Sequence, residues 1–238
     1  MASDDRVTSG IPGFDKLVEG GFVKNSINLL AGGAGTGKTI FGFQFVLEGL
    51  KKGENCVYIT LEQRVDDLLS DMGRFGWGQD LKKYSDSKKL TIASQFPASV
   101  AELKNSIFDM LDHTKAQRFV LDSLSVATMG WKESDKDLGK MRRDVFDFFN
   151  SLKKTGVTSL LISEIPEAEE KKLSRFGFEE FVADGIIKMH YVGIGGQEST
   201  QMQIRKMRRT NHSRGFHSLF FTKNGLAIKG EEISVLMQ

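Results

Sequence analysis

Cysteine is nearly absent. The 238 residues hold one, Cys56, so no intramolecular disulfide can form. It lies in the apolar run Asn55–Thr60 and reads as a small core residue, not a nucleophile. Proline is scarce as well, with three in all, and no low-complexity linker marks a second domain. One domain over residues 1–238 is therefore expected, long enough to bury a sizeable core. No run of 18 apolar residues exists, so no membrane span is expected. Met1 to Ser9 is short and polar with two aspartates, unlike a signal peptide. A reducing cytoplasm is the expected location. An excess of one charge is also missing: 33 Lys and Arg face 31 Asp and Glu, for a net +2. A globally basic nucleic-acid binder is not indicated, and only local patches remain open.

Glycine is what the chain has, 25 residues of it, and eight consecutive positions use it pointedly. Gly32-Gly33-Ala34-Gly35-Thr36-Gly37-Lys38-Thr39 fits G-x-x-x-x-G-K-[ST] without mismatch. Before it, Ser26 to Ala31 reads as a buried strand. After it, Ile40 to Leu50 reads as a helix stopped at Lys51-Lys52-Gly53. Strand, glycine loop and helix together form the context in which backbone amides turn inward around phosphate oxygens. The loop ends at a helix amino terminus, where donors are unpaired and the dipole is positive. Candidate nucleotide contacts are Gly33, Ala34, Gly35, Thr36, Gly37, Lys38, Thr39 and Ile40. Lys38 suits the β- and γ-phosphates, and the Thr39 hydroxyl suits Mg²⁺. A glycine-rich turn that binds nothing would not need the Lys-Thr ending.

Other strands end in acids. Cys56 to Leu61 is a continuous apolar run followed at once by Glu62. In open parallel sheets the ligand crevice lies at the carboxyl ends of strands, so Glu62 would share the rim of the phosphate loop. There it could take a proton from an attacking water. It could equally cap the next helix, whose apolar stripe is Val65, Leu68, Leu69, Met72 and Phe75. Arg118 to Leu121 runs into Asp122, the pattern of a strand-end acid that steadies Mg²⁺. Val157 to Ser163 is a further strand with Ser163 and Glu164 at its end, suited to sensing a γ-phosphate or to capping. Leu90 to Ala93 is a short strand. Val100, Leu103, Ile107, Met110 and Leu111 mark one helix, and Met141, Val145, Phe148 and Leu152 another. Phe14 to Glu19 predicts a short helix stopped at Gly20-Gly21 and packed on the sheet. Thr128 to Asp137 reads as a loop, and Glu167 to Arg175 as a mobile loop or frayed helix.

The tail changes character. Ile186 to Val192, Gln201 to Arg208, Ser218 to Thr222 and Leu226 to Lys229 read as strands, with a hairpin signal at Asn224-Gly225. The fold expected is α/β, a mostly parallel sheet flanked by helices that finishes in antiparallel strands. Period two puts Met202, Ile204, Lys206 and Arg208 on one face, the apolar pair inward and the cations beyond it. Those cations either deter edge pairing or meet phosphate.

Taken in order, these features resemble the KaiC/RecA branch of phosphate-loop ATPases. The similarity to KaiC-like proteins covers nearly the whole chain. It is carried by Thr8-Ser-Gly-Ile-Pro-Gly-Phe-Asp-Lys-Leu17, Glu19-Gly-Gly21, the phosphate loop, Thr60-Leu-Glu62, Leu121-Asp-Ser-Leu124 and Ile162-Ser-Glu164. Phe181-Val-Ala-Asp-Gly-Ile-Ile187 and Lys206-Met-Arg-Arg-Thr-Asn-His212 complete it. The chain is identified as a single-domain KaiC-like ATPase of the kind frequent in archaea. The resemblance implies a RecA-like fold, ATP and Mg²⁺ as cofactors, Glu62 as catalytic base and Asp122 as the magnesium-linked acid. It implies that Lys206 and Arg208 reach a neighbouring subunit's nucleotide, with His212 close by. A ring, usually of six subunits, follows from that. Two departures stand out. Gln63 replaces the usual second Glu, which implies slow turnover. Glu180 and Phe181 fall where KaiC carries self-phosphorylated hydroxyls, so self-phosphorylation is not expected. The motif has no second copy, and a clock role does not transfer.

Two other readings stay open. A module binding single-stranded DNA, like RecA and RadA paralogues, would use Trp131, Lys132, Lys171, Lys172, Arg175 and Phe176. Glu133, Asp135, Glu167, Glu169 and Glu170 in the same loops oppose it. A nucleotide-gated subunit that times binding to an unknown protein partner is the third.

Overall fold

The computed structural model describes residues 5–96, 100–129, 138–194 and 197–228. A short antiparallel pair comes first, β1 (Arg6–Val7) with β2 (Phe22–Val23). Between them lies a 3-10 turn, Asp15–Val18, whose neighbours Ile11, Phe14 and Phe22 are buried against the helix that follows the phosphate loop. The segment packs inward, as its apolar spacing predicts.

All six residues of β3 (Ile27–Gly32) are buried. That suits a strand paired in parallel on both sides, here by β7 (Thr158–Glu164) and β8 (Gly185–Ile194). With β4 (Cys56–Thr60), β5 (Leu90–Ser94), β6 (Arg118–Asp122), β9 (Gln197–Met207), β10 (Phe216–Thr222) and β11 (Gly225–Ile228), the nine-stranded order is β11-β10-β9-β8-β3-β7-β6-β4-β5. Pairing is parallel from β8 to β5 and antiparallel from β8 outward to β11. This is the mostly parallel sheet with an antiparallel end that the sequence predicts.

Alternation along the strands feeds two cores. On one face, α1 (Lys38–Lys51) lays Phe41, Phe43 and Phe45 against Tyr58, Val120 and Ile162. On the other, α6 (Leu138–Lys154) sets Val145, Phe148 and Leu152 against Leu29, Val57, Ile59 and Leu121, beside α4 (Val100–Thr114). Each fully buried Phe or Leu contributes about 1.5–3 kcal/mol. Helix α1 approaches the sheet closely at Gly42, where a Cβ would lie 3.2 Å from Val120 Cγ1 and 3.3 Å from Tyr58 Cε2.

Arg118 is fully buried beneath α1. Its guanidinium pairs with Glu54, donates to Thr8 O at 2.7 Å and Phe45 O at 2.9 Å, and stacks over the Phe45 ring at 4.7 Å. Nε and Nη1 are engaged in this way, while Nη2 is buried with no hydrogen-bond partner among the described residues; the Glu54 carboxylate and the two carbonyls are what make the buried charge tolerable.

Four expectations are revised. Two helices follow β4, α2 (Val65–Gly73) and α3 (Gly78–Asp86), and the sequence reading saw only the first. Residues after β6 form α5 (Leu124–Met129), so Thr128 belongs to a helix and not to a loop. Trp131, Lys132, Glu133 and Asp135 lie outside the described residues. The stretch after β7 forms a 3-10 turn, Glu167–Glu169, and a loop pinned by Lys188, whose Nζ donates to the Glu170 and Lys172 carbonyls. A short α7 (Glu179–Val182) follows.

The fourth revision concerns β9. Its register against β8 shifts between Ile186 and Ile187, which pair with Lys206 and Ile204, leaving Arg205 as the extra residue of a bulge. Met202, Ile204 and Met207 share the α1 core, so Lys206 falls on the opposite face. The unbroken period of two that grouped Lys206 and Arg208 with Met202 and Ile204 does not survive the bulge. The Asn224-Gly225 hairpin does form, with Thr222 paired to Gly225 and the left-handed φ of 104° on the glycine. Lys229 lies outside the described residues. Among the described residues, no helix is long and apolar enough to cross a membrane.

Candidate nucleotide site

The loop between β3 and α1 turns on two left-handed glycines, Gly35 (φ 73°) and Gly37 (φ 95°), a conformation other residues rarely adopt. Gly37 is also the N-cap of α1, so the amides of Lys38, Thr39 and Ile40 open the helix at the loop's mouth. The Thr36 hydroxyl donates to Gly33 O at 2.9 Å and steadies the turn. Lys38 is buried, and its Nζ donates to the same carbonyl at 2.6 Å. Burial pulls the Lys38 pKa down, while the charges of Glu164, Asp122 and Glu62 push it up. Three carboxylates thus surround one lysine.

Each comes from a strand end. Thr39 Oγ1 donates to Asp122 Oδ2 at 2.9 Å, and Tyr58 OH donates to the same oxygen at 2.6 Å. Burial raises the Asp122 pKa against these two hydrogen bonds and the charge of Lys38. The Tyr58 hydroxyl is itself held well above its usual value, by burial and then by the Asp122 charge. Tyr58 was not singled out from the sequence. A tyrosine inside a run reading as buried strand is the signal that was available, since a buried phenol needs a partner.

Glu62 stands exposed at the rim, and its Oε1 accepts a hydrogen bond from the fully buried Ser123. It does not cap α2, whose N-cap is Arg64. Partial desolvation of its carboxyl end, although the residue as a whole is exposed, raises the Glu62 pKa; the Ser123 hydroxyl lowers it, and Asp122 and Glu164 raise it further. Glu164 sits beside Gly32 in register, with its amide donating to Ser125 Oγ at 2.7 Å. The 3-10 turn that follows has Pro166 as its N-cap, so capping is not the role of Glu164. Next to the loop opens a cavity of about 660 Å³ that includes Ala34, Glu164, Lys188 and Tyr191, with Tyr191 OH donating to Gly35 O at 3.3 Å.

Oxygen donors and a compact geometry are what Mg²⁺ prefers. Thr39 Oγ1 and Asp122 Oδ2 supply such a pair. No group of three or more His, Cys, Asp and Glu side chains suited to a metal occurs among the described residues.

Lys206, Arg208 and His212 are not brought to this loop within one chain. Arg208 lies level with the first residue of β3, and Lys206 pairs with Ile186, beside Leu29 at mid-strand. Lys206 Nζ donates to Glu180 O at 3.0 Å and Ala183 O at 2.7 Å, and Arg208 donates to Phe181 O at 3.2 Å. Arg208 also meets Asp184 at 3.4 Å, and Asp184 accepts the amide of Ile27, the first residue of β3. Six residues of strand, about 17 Å, separate that end from the phosphate loop. Burial alone would raise the Asp184 pKa, but Lys153, the Ile27 amide and Arg208 hold it below the usual range. His212 lines a basic cleft of about 330 Å³ with Gln203, Arg205 and Arg214.

A glycine loop at the carboxyl end of a parallel strand, a Thr–Asp pair reaching the strand end two positions over, across β7, and a strand-end glutamate define a phosphate-loop nucleotide-binding domain of the RecA-like type. The family model for the KaiC ATPase matches residues 7–233. The chain belongs to the KaiC ATPase family. It is 32% identical to the circadian clock protein KaiC3 of Synechocystis, over 94% of this chain but 45% of that protein, so it spans less than half of that relative's length. A UPF0273 protein of Methanopyrus kandleri is 31% identical and is matched over 97% of this chain and 94% of its own length. Among solved structures, a KaiC-like protein of Pyrococcus horikoshii superposes with a TM-score of 0.84 at 36% identity, covering 95% of this chain and 99% of that one.

Proposed function

We propose that the protein is a Mg²⁺-dependent ATPase, slow in turnover, that works as a nucleotide switch between the subunits of a homo-oligomeric ring in the cytoplasm, with residues 1–238 acting as one ATPase domain. The observation that carries the reading is the convergence of Lys38, Thr39, Asp122 and Glu62 at one sheet edge. Loop amides and Lys38 hold the phosphates. Thr39 and Asp122 would hold Mg²⁺, which would supply positive charge to offset that of the phosphates. Glu62 orients a water and takes its proton as the water oxygen bonds to the γ-phosphorus and the bond to the ADP oxygen breaks. Ser123 keeps the Glu62 carboxylate in place. Lys206 and Arg208, remote from their own loop, are suited to a neighbour's phosphate, with His212 beside them. Glu180 and Phe181 offer no hydroxyl, so self-phosphorylation at that point is not expected.

Single-stranded DNA binding draws less support. Lys172 and Arg175 are both engaged by Glu169, and Phe176 stacks on Phe178. The deciding experiment measures ATP hydrolysis and mass in solution on one sample, with and without Mg²⁺ and ATP. Hydrolysis by an assembly larger than one chain supports the reading. A monomer that binds no nucleotide overturns it.

A further inference from the structure

Arg208 and His212 sit on a segment that belongs to no strand between the ends of β9 and the start of β10. Such a segment must find partners outside the sheet ladder. It finds them in the amino-terminal turn, roughly two hundred positions away. The Arg6 guanidinium donates to Thr210 Oγ1 at 2.7 Å and to Arg209 O at 3.1 Å. It also meets Glu19 Oε2 at 3.4 Å. That same Glu19 oxygen accepts the Asn211 amide at 3.2 Å, and Ser213 N donates to Leu17 O at 2.9 Å.

Both ends of this contact are built with left-handed backbone, Glu19 at φ 56° and Arg209 at φ 58°. Gly21 closes the turn under Arg6, where a Cβ would lie 2.4 Å from Val7 O. The backbone of that turn needs its glycines. Arg6 Nη1 also donates to Gly21 O within the turn at 3.4 Å, a longer contact than those it makes to Thr210 and Arg209. The segment from Arg209 to Asn211 takes the two shorter bonds of Arg6 and a further bond from the Asn211 amide to the Glu19 carboxylate.

We infer that Arg6 and Glu19 are positioning residues for hydrolysis, a guanidinium–carboxylate clamp that sets where Arg208 and His212 stand before a neighbouring subunit's phosphates. The inference rests on the reading of Lys206 and Arg208 as cations acting across an interface. The planar fork of Arg6 meets Gly21 O, Thr210 Oγ1, Arg209 O and Glu19 Oε2 together, more oxygens than the three donors of an ammonium can serve.

The test compares steady-state ATP hydrolysis of Arg6→Ala, Arg6→Lys, Glu19→Ala and Arg208→Ala, all well below their melting temperatures. Misplacing a charge contact by about 1 Å can cost about 10²-fold in rate. The two clamp alanine variants should lose kcat with KM for ATP unchanged, and Arg6→Lys should fall between them and the parent. Mixing either clamp variant with Lys38→Ala subunits, whose own clamp is intact, should restore part of the rate. Parental kcat in both clamp variants with Arg208→Ala inactive overturns the clamp and leaves the interface reading standing. Full activity in Arg208→Ala removes the reading beneath it. A lost kcat that mixing fails to rescue, while Arg208→Ala is rescued, puts the defect in the subunit's own site and also overturns the clamp. If Arg6→Ala does not fold, Thr210→Val takes its place; it removes the 2.7 Å contact to Arg6 together with the hydroxyl's 3.3 Å bond to Arg208 O, so it is read beside Glu19→Ala, which leaves that second bond intact.

Discussion

Thr39 and Asp122, 83 residues apart in sequence, meet at 2.9 Å through Oγ1 and Oδ2. The contact joins the first turn of α1 to the end of β6, two elements that also share the Phe43–Tyr58–Val120 core. Tyr58 bonds the same carboxylate oxygen from below, so the aspartate is aimed by two hydroxyls. An acid fixed in this way can face a cation without rearranging, which is the condition for electrostatic preorganisation.

Asp122→Asn should separate stability from activity. Burial raises the Asp122 pKa in the folded state. Stability linked to that shift is fully present below the unfolded value and is lost as pH rises through the folded one, so the ionised form burdens the fold near neutral pH. Replacing it with a neutral amide should raise the melting temperature measured without nucleotide. The same variant should lose the extra stabilisation that Mg-ATP gives over ATP alone. A lowered melting temperature with intact Mg-ATP stabilisation would reject the assignment.

Glu62→Gln should abolish turnover and keep ATP binding, since an amide can hold water but cannot take its proton. The pH profile gives a finer check. Partial desolvation of its carboxyl end raises the Glu62 pKa and the Ser123 hydroxyl lowers it. Activity should fall as pH drops through that raised value, because the protonated acid cannot act as base. Ser123→Ala removes the lowering hydrogen bond and should move the acidic limb to higher pH. An unmoved limb means that another group controls it.

Arg208→Ala should be almost inactive, because a cation supplied across an interface is worth about 10³-fold or more. Arg208→Ala and Lys38→Ala subunits should be inactive apart and partly active when mixed. Absence of rescue, with both variants assembled as the parent is, counts against action between subunits.

Arg118→Ala should destabilise the fold by about 3 kcal/mol, the low end for breaking a buried ion pair, because the stranded Glu54 keeps partial contact with solvent. Glu54 and the carbonyls of Thr8 and Phe45 would lose their donor together. Urea unfolding measures the loss. ATP binding at low denaturant should persist, as Arg118 sits at the opposite end of β6 from Asp122.

Local pattern determined much of this protein. The eight-residue phosphate loop, the apolar runs of β3, β4, β6 and β7, and the acids that end three of those strands were legible because each depends on neighbours within about ten positions. The strand-end rule then brought Glu62 and Asp122 to the loop without any knowledge of pairing. Tertiary structure decided the rest. Tyr58 acquired its role only when β4 settled beside β6. The face on which Lys206 lies turned on a one-residue bulge opposite Ile186, a register event between two strands that no single strand encodes. The contact of Arg6 and Glu19 with the segment after β9 joins residues some two hundred positions apart, beyond the reach of periodicity. Spacing along the chain sets which side chains share an edge. Packing between distant elements sets which way they point.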